Sequence, residues 1–108
     1  MEIAGELDLN NADEFRTALD SLIDSHQGVK QVVLCMDQVT FIDSSGIGVL
    51  FGRQRRMASR GGALSIASPG PQARRALDLL GVPSIMRVYN SREQALAAEA
   101  EVRRCTRK

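Results

Sequence analysis

A pair of serines follows an aspartate where a strand-like segment meets a helical pattern. The run Asp43-Ser44-Ser45-Gly46-Ile47-Gly48-Val49-Leu50 comes directly after the extended segment Thr40-Phe41-Ile42. The first turn of a helix has unpaired backbone N–H groups and a partial positive charge, so it favours negative charge. A serine hydroxyl in that turn can cap the helix, or it can accept a phosphoryl group.

Capping is the more frequent role for a serine at the start of a helix. Two features of this sequence favour phosphorylation of Ser44 instead. Asp43 and Ser45 could each act as the cap, so Ser44 is not needed for that role. The glycines that follow, Gly46 and Gly48, leave the hydroxyl open to the active site of another protein.

Other sets of residues offer little chemistry. The single histidine, His26, ends a predicted helix, where an exposed side chain is a better interpretation than a general base. No spacing of His and Cys supplies the three or four ligands of a zinc site. Ser44 lacks the glycine two residues earlier that a nucleophile elbow requires, and the spacing G-x-G-x-x-x-G from Gly46 to Gly52 differs from that of nucleotide-binding loops. The sequence therefore predicts no catalytic residue, no metal and no cofactor.

Alternating strand and helix patterns surround the serine pair. Extended apolar segments predict strands in residues 1–9, 29–37, 63–67 and 85–89, with a short extended approach over 40–42. Helical periodicity predicts helices from residue 11 to about 25, over 45–59, around 73–80, and from 91 to about 104. Asn11 with Glu14, and Ser91 with Gln94, have the spacing of capping boxes. Short connections between these elements predict one α/β domain over residues 1–108, with a mainly parallel four-stranded sheet flanked by helices.

Some charged residues near these elements have two interpretations. Asp8 follows the first strand and is either a turn residue or an exposed charge at the strand end. Arg53, Arg56 and Arg60 share one helix face at i, i+3 and i+7 spacing. A solvated surface is the default interpretation of this arginine face, and a patch for an acidic partner is the alternative.

The composition excludes several classes of protein. The 108 residues include 14 Lys+Arg and 13 Asp+Glu, a formal net charge of +1, with one Tyr, three Phe and no Trp. Such a chain lacks the basic field and the aromatic surfaces of a nucleic-acid binder. It has no apolar stretch near the ~20 residues of a membrane span, and no basic, apolar leader, so no direct membrane contact is expected. Two cysteines, Cys35 and Cys105, are too few for a disulfide framework, which favours the reducing cytoplasm.

Together these motifs resemble the STAS domain of anti-sigma factor antagonists. The run from Asp43 to Leu50 and the upstream Gly5-Glu6-Leu7-Asp8 carry the resemblance, which covers nearly the whole chain. Supporting segments are Gly52-Arg53, Gly61-Gly62 and Leu79-Leu80-Gly81-Val82. The family fold is a mixed sheet flanked by helices, and it usually has another N-terminal strand that pairs with the strand ending near Asp8. We expect that first family strand to be missing here, which leaves an open edge that invites a homodimer.

The resemblance also implies a phosphorylation switch. In that family an ATP-dependent kinase, which is also the anti-sigma factor, phosphorylates the first serine after the aspartate, here Ser44. The unphosphorylated form would bind this kinase and free the sigma factor, and a metal-dependent serine phosphatase would reset the switch. The chain itself would be no enzyme. Residues implied to border the partner surface are Asp8, Asp43, Ser45, Ile47 and Gly48.

Two further functions stay open at this point. A STAS module can serve a stress-signalling scaffold or a lipid or anion transport complex, and some of these modules lack a phosphorylated serine. A small enzyme with Ser44 as its nucleophile is the other alternative, although the sequence offers no nearby candidate base.

Overall fold

Four parallel strands form the centre of the fold. The computed structural model describes residues 2–26 and 28–98. The strands are hydrogen-bonded in chain order as β1 (Glu2–Leu7), β2 (Gln31–Ile42), β3 (Ala63–Ala67) and β4 (Val88–Tyr89). The helices are α1 (Ala12–Ser25), α2 (Ser44–Ser59), α3 (Pro71–Leu79) and α4, whose described residues are 92–98. This architecture confirms the predicted α/β fold with a parallel four-stranded sheet flanked by helices.

One main hydrophobic core holds the sheet to the first three helices. Its fully buried members include Leu19 from α1, Leu34 from β2, Leu50 from α2 and Leu77 from α3. A smaller cluster of Cys35, Ala67 and Ala95 joins β2 and β3 to α4. The prediction that Cys35 is a small buried apolar residue is therefore confirmed. Cys105 and the predicted end of the last helix lie outside the described residues.

Two strands differ in length from their predictions. The structure joins the predicted strand over 29–37 and the short extended segment over 40–42 into a single strand, β2. Asp37 and Gln38 are exposed and interrupt the apolar run, and after a shift in register the pairing with β1 resumes at Gln38. In contrast, β4 has only two residues of the predicted 85–89. A 3₁₀ turn at Val82–Ser84 takes the preceding backbone out of the sheet, because the Ile85 N–H donates to the Val82 carbonyl.

The capping boxes are only partly as predicted. Asn11 occupies the N-cap position of α1, but its side chain makes no bond to the helix. Its Oδ1 instead accepts from the Asp8 N–H at 2.8 Å, so Asn11 shapes the turn between β1 and α1. At α4, Ser91 Oγ does accept from the Gln94 N–H at 3.1 Å, while the Gln94 side chain accepts from the Asn90 N–H.

The arginine face of α2 is an interface between helices and not a solvated surface. Arg56 donates to Asp20 at 2.8 Å and also to Asp24. Arg60 donates to backbone carbonyls at the end of α1, including that of Ile23 at 3.2 Å. Sequence spacing could not reveal this, because the acceptors lie more than thirty positions away in the chain. These bonds fix α1 and α2 side by side.

Candidate functional site

Asp43 makes the turn from β2 into α2. Its backbone is extended, and its N–H donates to the Leu7 carbonyl at the end of β1, at 3.1 Å. Its carboxylate accepts from the Ser45 N–H at 2.9 Å and from the Gly46 N–H at 3.3 Å. Asp43 is therefore the N-cap, and it satisfies two of the unpaired donors in the first turn.

With that capping complete, Ser44 is the first residue of the helix and its side chain is exposed. Within residues 2–26 and 28–98, the structure gives its hydroxyl no hydrogen-bond partner. Ser45 is half-buried, and its contribution to the cap is its backbone N–H. Neither serine hydroxyl takes part in the cap, and the serine that the sequence favoured as a phosphoacceptor, Ser44, is the more exposed of the two.

Gly46 lets α2 begin in close contact with β1. A Cβ atom at this position would lie 2.6 Å from the Leu7 carbonyl oxygen and 2.9 Å from Cγ1 of Ile42. Real Cβ atoms do not approach other atoms so closely, and the first obstacle is backbone. In contrast, a Cβ atom on Gly48 would meet nothing within 4 Å. Only the first of these two glycines is required by packing within the chain.

Asp8 lies beside this turn because β1 and β2 end at the same edge of the sheet. Leu7 pairs with Ile42, so the residues that follow each strand are neighbours. Asp8 is half-buried, and its carboxylate accepts from the Asn10 N–H at 3.0 Å. The structure therefore brings the Asp8 turn and the Asp43 turn together, as a partner surface would need.

Ile47 does not belong to that surface. Only 3% of it is exposed, because its side chain packs in the main core. The expectation that Ile47 borders a partner is corrected on this ground. Ile47 is a chain neighbour of the exposed Gly48, but the helical repeat puts its side chain on the face of α2 that packs against the sheet.

Ser44 lies in a surface depression of about 340 Å³ between the first turns of α1 and α2. We call it the Ser44 groove, and its lining residues are Leu9, Ala12, Asp13, Arg16, Ser44, Ser45, Gly48, Val49 and Arg53. Sequence reasoning did not place Leu9 or Arg16 here. Leu9 is 77% exposed, so the groove has an apolar side chain at its rim. Helical spacing could have indicated Arg53, which lies two i+4 steps after Ser45.

Two arginines of the groove are held differently. Arg16 bonds Asp13 at 2.7 Å, with side chains 47% and 90% exposed. Arg53 is only 18% exposed, and its Nε lies 3.3 Å from Asp20 Oδ1 without the alignment of a hydrogen bond. Farther along the same helix pair, the hydrogen bond to Asp24 raises the pKa of the Arg56 guanidinium. The groove thus combines an exposed cation, a largely buried cation and two serine hydroxyls.

The two carboxylates near Ser44 are already engaged, because Asp43 accepts from the first turn of α2 and Asp13 is paired with Arg16. His26 follows the last turn of α1, with Nδ1 3.0 Å from the Leu22 carbonyl oxygen. Ser44 is near the opposite end of that helix, about 20 Å away by helix rise.

Another cavity, of about 300 Å³, contains the buried Ser65 beside the start of β3 and is separate from the groove. Among the described helices, none is long and apolar enough to cross a membrane.

Three solved structures are similar to this fold. The unphosphorylated form of the anti-sigma factor antagonist SpoIIAA has a TM-score of 0.74 at 25% identity, over 93% of this chain and 85% of that chain. Its phosphorylated form, from Bacillus, has a TM-score of 0.63 at 25% identity, over 90% and 86%. A sulfate transporter family protein of Wolinella succinogenes has a TM-score of 0.75 at 26% identity, over 91% and 80%.

The sequence comparisons agree with the fold. The anti-sigma F factor antagonist of Paenibacillus polymyxa is 34% identical over 102 residues, which cover 94% of this chain and 86% of that protein. The family model for the STAS domain matches residues 1–95. The fold, the Asp43-Ser44 turn and these matches lead to one conclusion: the chain belongs to the STAS domain family.

Proposed function

We propose that this chain is an anti-sigma factor antagonist that acts in the cytoplasm and is controlled by phosphorylation of Ser44. Its unphosphorylated form binds an anti-sigma factor that is also a serine kinase, and this binding frees the sigma factor. A serine phosphatase restores the unphosphorylated form. The partner surface consists of the Asp8 turn, Asp43, Ser45 and Gly48, with Ser44 among them.

The observation that carries this proposal is the free Ser44 hydroxyl at the exposed start of α2. Because Asp43 supplies the cap, Ser44 can be modified without loss of a bond that holds the helix. The names of the relatives support the same function, since they include antagonists of anti-sigma factors and both phosphorylation states of SpoIIAA.

In the phosphorylation step, Ser44 Oγ bonds to the γ-phosphorus of ATP while the bond to the leaving ADP oxygen breaks. The kinase supplies the base that accepts the hydroxyl proton, because the two carboxylates near Ser44 are engaged, Asp43 in the helix cap and Asp13 with Arg16. This chain is therefore the substrate of another protein's catalysis. That role fits its relatives, which are regulators.

Mapping the phosphorylated residue tests this proposal. We expect the cognate kinase and ATP to add one phosphoryl group, which peptide mass mapping locates on Ser44. Ser44→Ala should abolish the modification, and the matched variant Ser45→Ala should retain it. Phosphate found only on Ser45, or no phosphate on either serine, would contradict the assignment.

A module of a transport complex is the second candidate function. The similarity to the Wolinella sulfate transporter family protein favours it, since its TM-score of 0.75 is as high as the 0.74 of unphosphorylated SpoIIAA. Affinity capture from the source cells separates the two functions. A soluble kinase-like protein retained by the wild type and lost with Ser44→Asp supports the antagonist, and a membrane transport subunit supports the alternative.

We also propose that the outer edge of β1 pairs with a second copy of the chain. Among the described strands only β2 pairs with β1, so the other edge can accept a further strand before the point where Asn11 Nδ2 donates to the Glu6 carbonyl. A shallow depression of about 260 Å³ between β1 and α1 is lined by Ile3, Leu7 and Phe15, each of which is at most 8% exposed. Sedimentation over a wide range of concentrations should show a dimer, and a monomer at all concentrations would exclude this pairing.

A further inference from the structure

Arg16 and Ser44 lie on opposite walls of the same groove. Both line the depression of about 340 Å³, Arg16 from α1 and Ser44 from α2. The two helices begin at the same edge of the sheet, because each follows the carboxyl end of a strand and the strands are parallel. Side chains of a helix lean toward its N-terminus, so the Arg16 guanidinium leans toward the level where α2 begins.

The present partner of Arg16 holds it weakly. Asp13 is three positions away on the same helix, and its side chain is 90% exposed to water. Exposed pairs of this kind contribute little to stability, so a stronger anion within reach can replace the carboxylate. A phosphoryl group is such an anion, since it carries about −1.5 to −2 charges and three acceptor oxygens.

Arg53 adds positive charge to the same groove. Its side chain is 18% exposed, and two of its buried nitrogens, Nε and Nη1, make no hydrogen bond. Asp20 Oδ1 lies 3.3 Å from Arg53 Nε and partly balances the charge of Arg53, but it does not accept a hydrogen bond from that nitrogen. An anion that enters the groove therefore meets one exposed cation, Arg16, and one largely buried cation, Arg53.

We propose that Arg16 is the residue that receives a phosphoryl group on Ser44. Phosphorylation draws the Arg16 guanidinium from Asp13 to the phosphate, and the new ion pair crosses the groove from α1 to α2. This inference rests on the proposed function, because it describes the regulated state of the same serine. Phosphorylation then inhibits partner binding in two ways. The phosphate adds charge and bulk, and the new ion pair closes the groove and makes Arg16 unavailable to the partner.

The test uses the whole chain with phosphoserine placed at position 44 by genetic encoding, so that no kinase is needed. Phosphorus NMR titration gives the second pKa of the phosphate. Because a nearby cation favours the dianion, Arg16→Gln should raise this pKa by roughly 0.2–0.7 unit, the range for an exposed ion pair. The Arg16 side-chain Nε–H signal should move with the same titration, and it should not move in the unphosphorylated chain.

Arg55→Gln is the matched control. Arg55 is an exposed arginine of α2 outside the groove, so its removal changes the net charge equally without removing the proposed partner. An Arg16→Gln shift no larger than the Arg55→Gln shift, with an unmoved Arg16 signal, would overturn the inference. Such a result would leave the proposed phosphorylation of Ser44 intact. Conversely, a failure of the kinase to modify Ser44 would not change the outcome of this titration.

Discussion

Gly46→Ala is expected to lower the free energy of unfolding by about 1–3 kcal/mol, the usual cost of overpacking a closely packed site. The new Cβ atom would lie 2.6 Å from the Leu7 carbonyl oxygen, so α2 or the end of β1 must move. The obstacle is a backbone atom, which cannot change rotamer as a side chain can. We therefore expect the loss of unfolding free energy to lie in the upper part of that range. Chemical denaturation measures the change as a lower midpoint with an unchanged slope.

Gly48→Ala is the matched control for this prediction. It lies two positions later in the same helix, and its Cβ atom would have nothing within 4 Å. Alanine is the better helix former by about 0.5–1 kcal/mol, so this variant should be more stable than the wild type. Equal stability of the two variants would contradict the close approach of α2 to β1.

The same comparison separates folding from partner binding. Gly48 is exposed in the groove, and a methyl group there adds bulk to the proposed partner surface without straining the chain. A stable Gly48→Ala protein that binds its partner less well would place the groove in the interface. Gly46→Ala would also bind less well, but only because the Asp8 and Asp43 turns move apart.

The order of strands and helices could be predicted because it depends on local signals. The apolar run before Asp43, the hydrogen-bonding side chain of Asp43 and the glycine pair after α2 each act within a few residues. The choice among Asp43, Ser44 and Ser45 as the cap could not be decided from sequence, since all three are good caps. The structure decides it, because the Asp43 N–H is also bound to the Leu7 carbonyl of a neighbouring strand.

The parts that could not be predicted depend on contacts between distant segments. Asp37 and Gln38 look like the end of a strand, yet pairing with β1 continues β2 through them. Arg56 looks like a solvated residue, yet two carboxylates of α1 bind it. The Ser44 groove has the same origin, because α1 and α2 each supply one wall and neither wall is recognisable from its own segment.

Phosphorylation of Ser44 is expected to weaken binding to the anti-sigma factor by roughly 100-fold, and Ser44→Asp by at least about tenfold. Inside an interface the added charge must lose its water or meet like charge, which costs several kcal/mol, and each ~1.4 kcal/mol is tenfold in affinity. Within the free chain the same charge lies at the start of α2, where it is favourable by about 0.3–1 kcal/mol. Calorimetric titration measures the affinity, and thermal unfolding of the same samples should show an unchanged or slightly raised Tm.

Two variants separate charge at this position from other effects. Ser44→Ala should bind as well as the wild type and should resist inactivation by kinase and ATP, because the hydroxyl makes no bond that holds the helix. Ser21→Asp adds the same charge at an exposed position of α1 outside the groove, and it should leave the affinity nearly unchanged. If Ser44→Asp binds as tightly as Ser21→Asp, the charge at the start of α2 does not control binding, and the switch must act elsewhere on the surface.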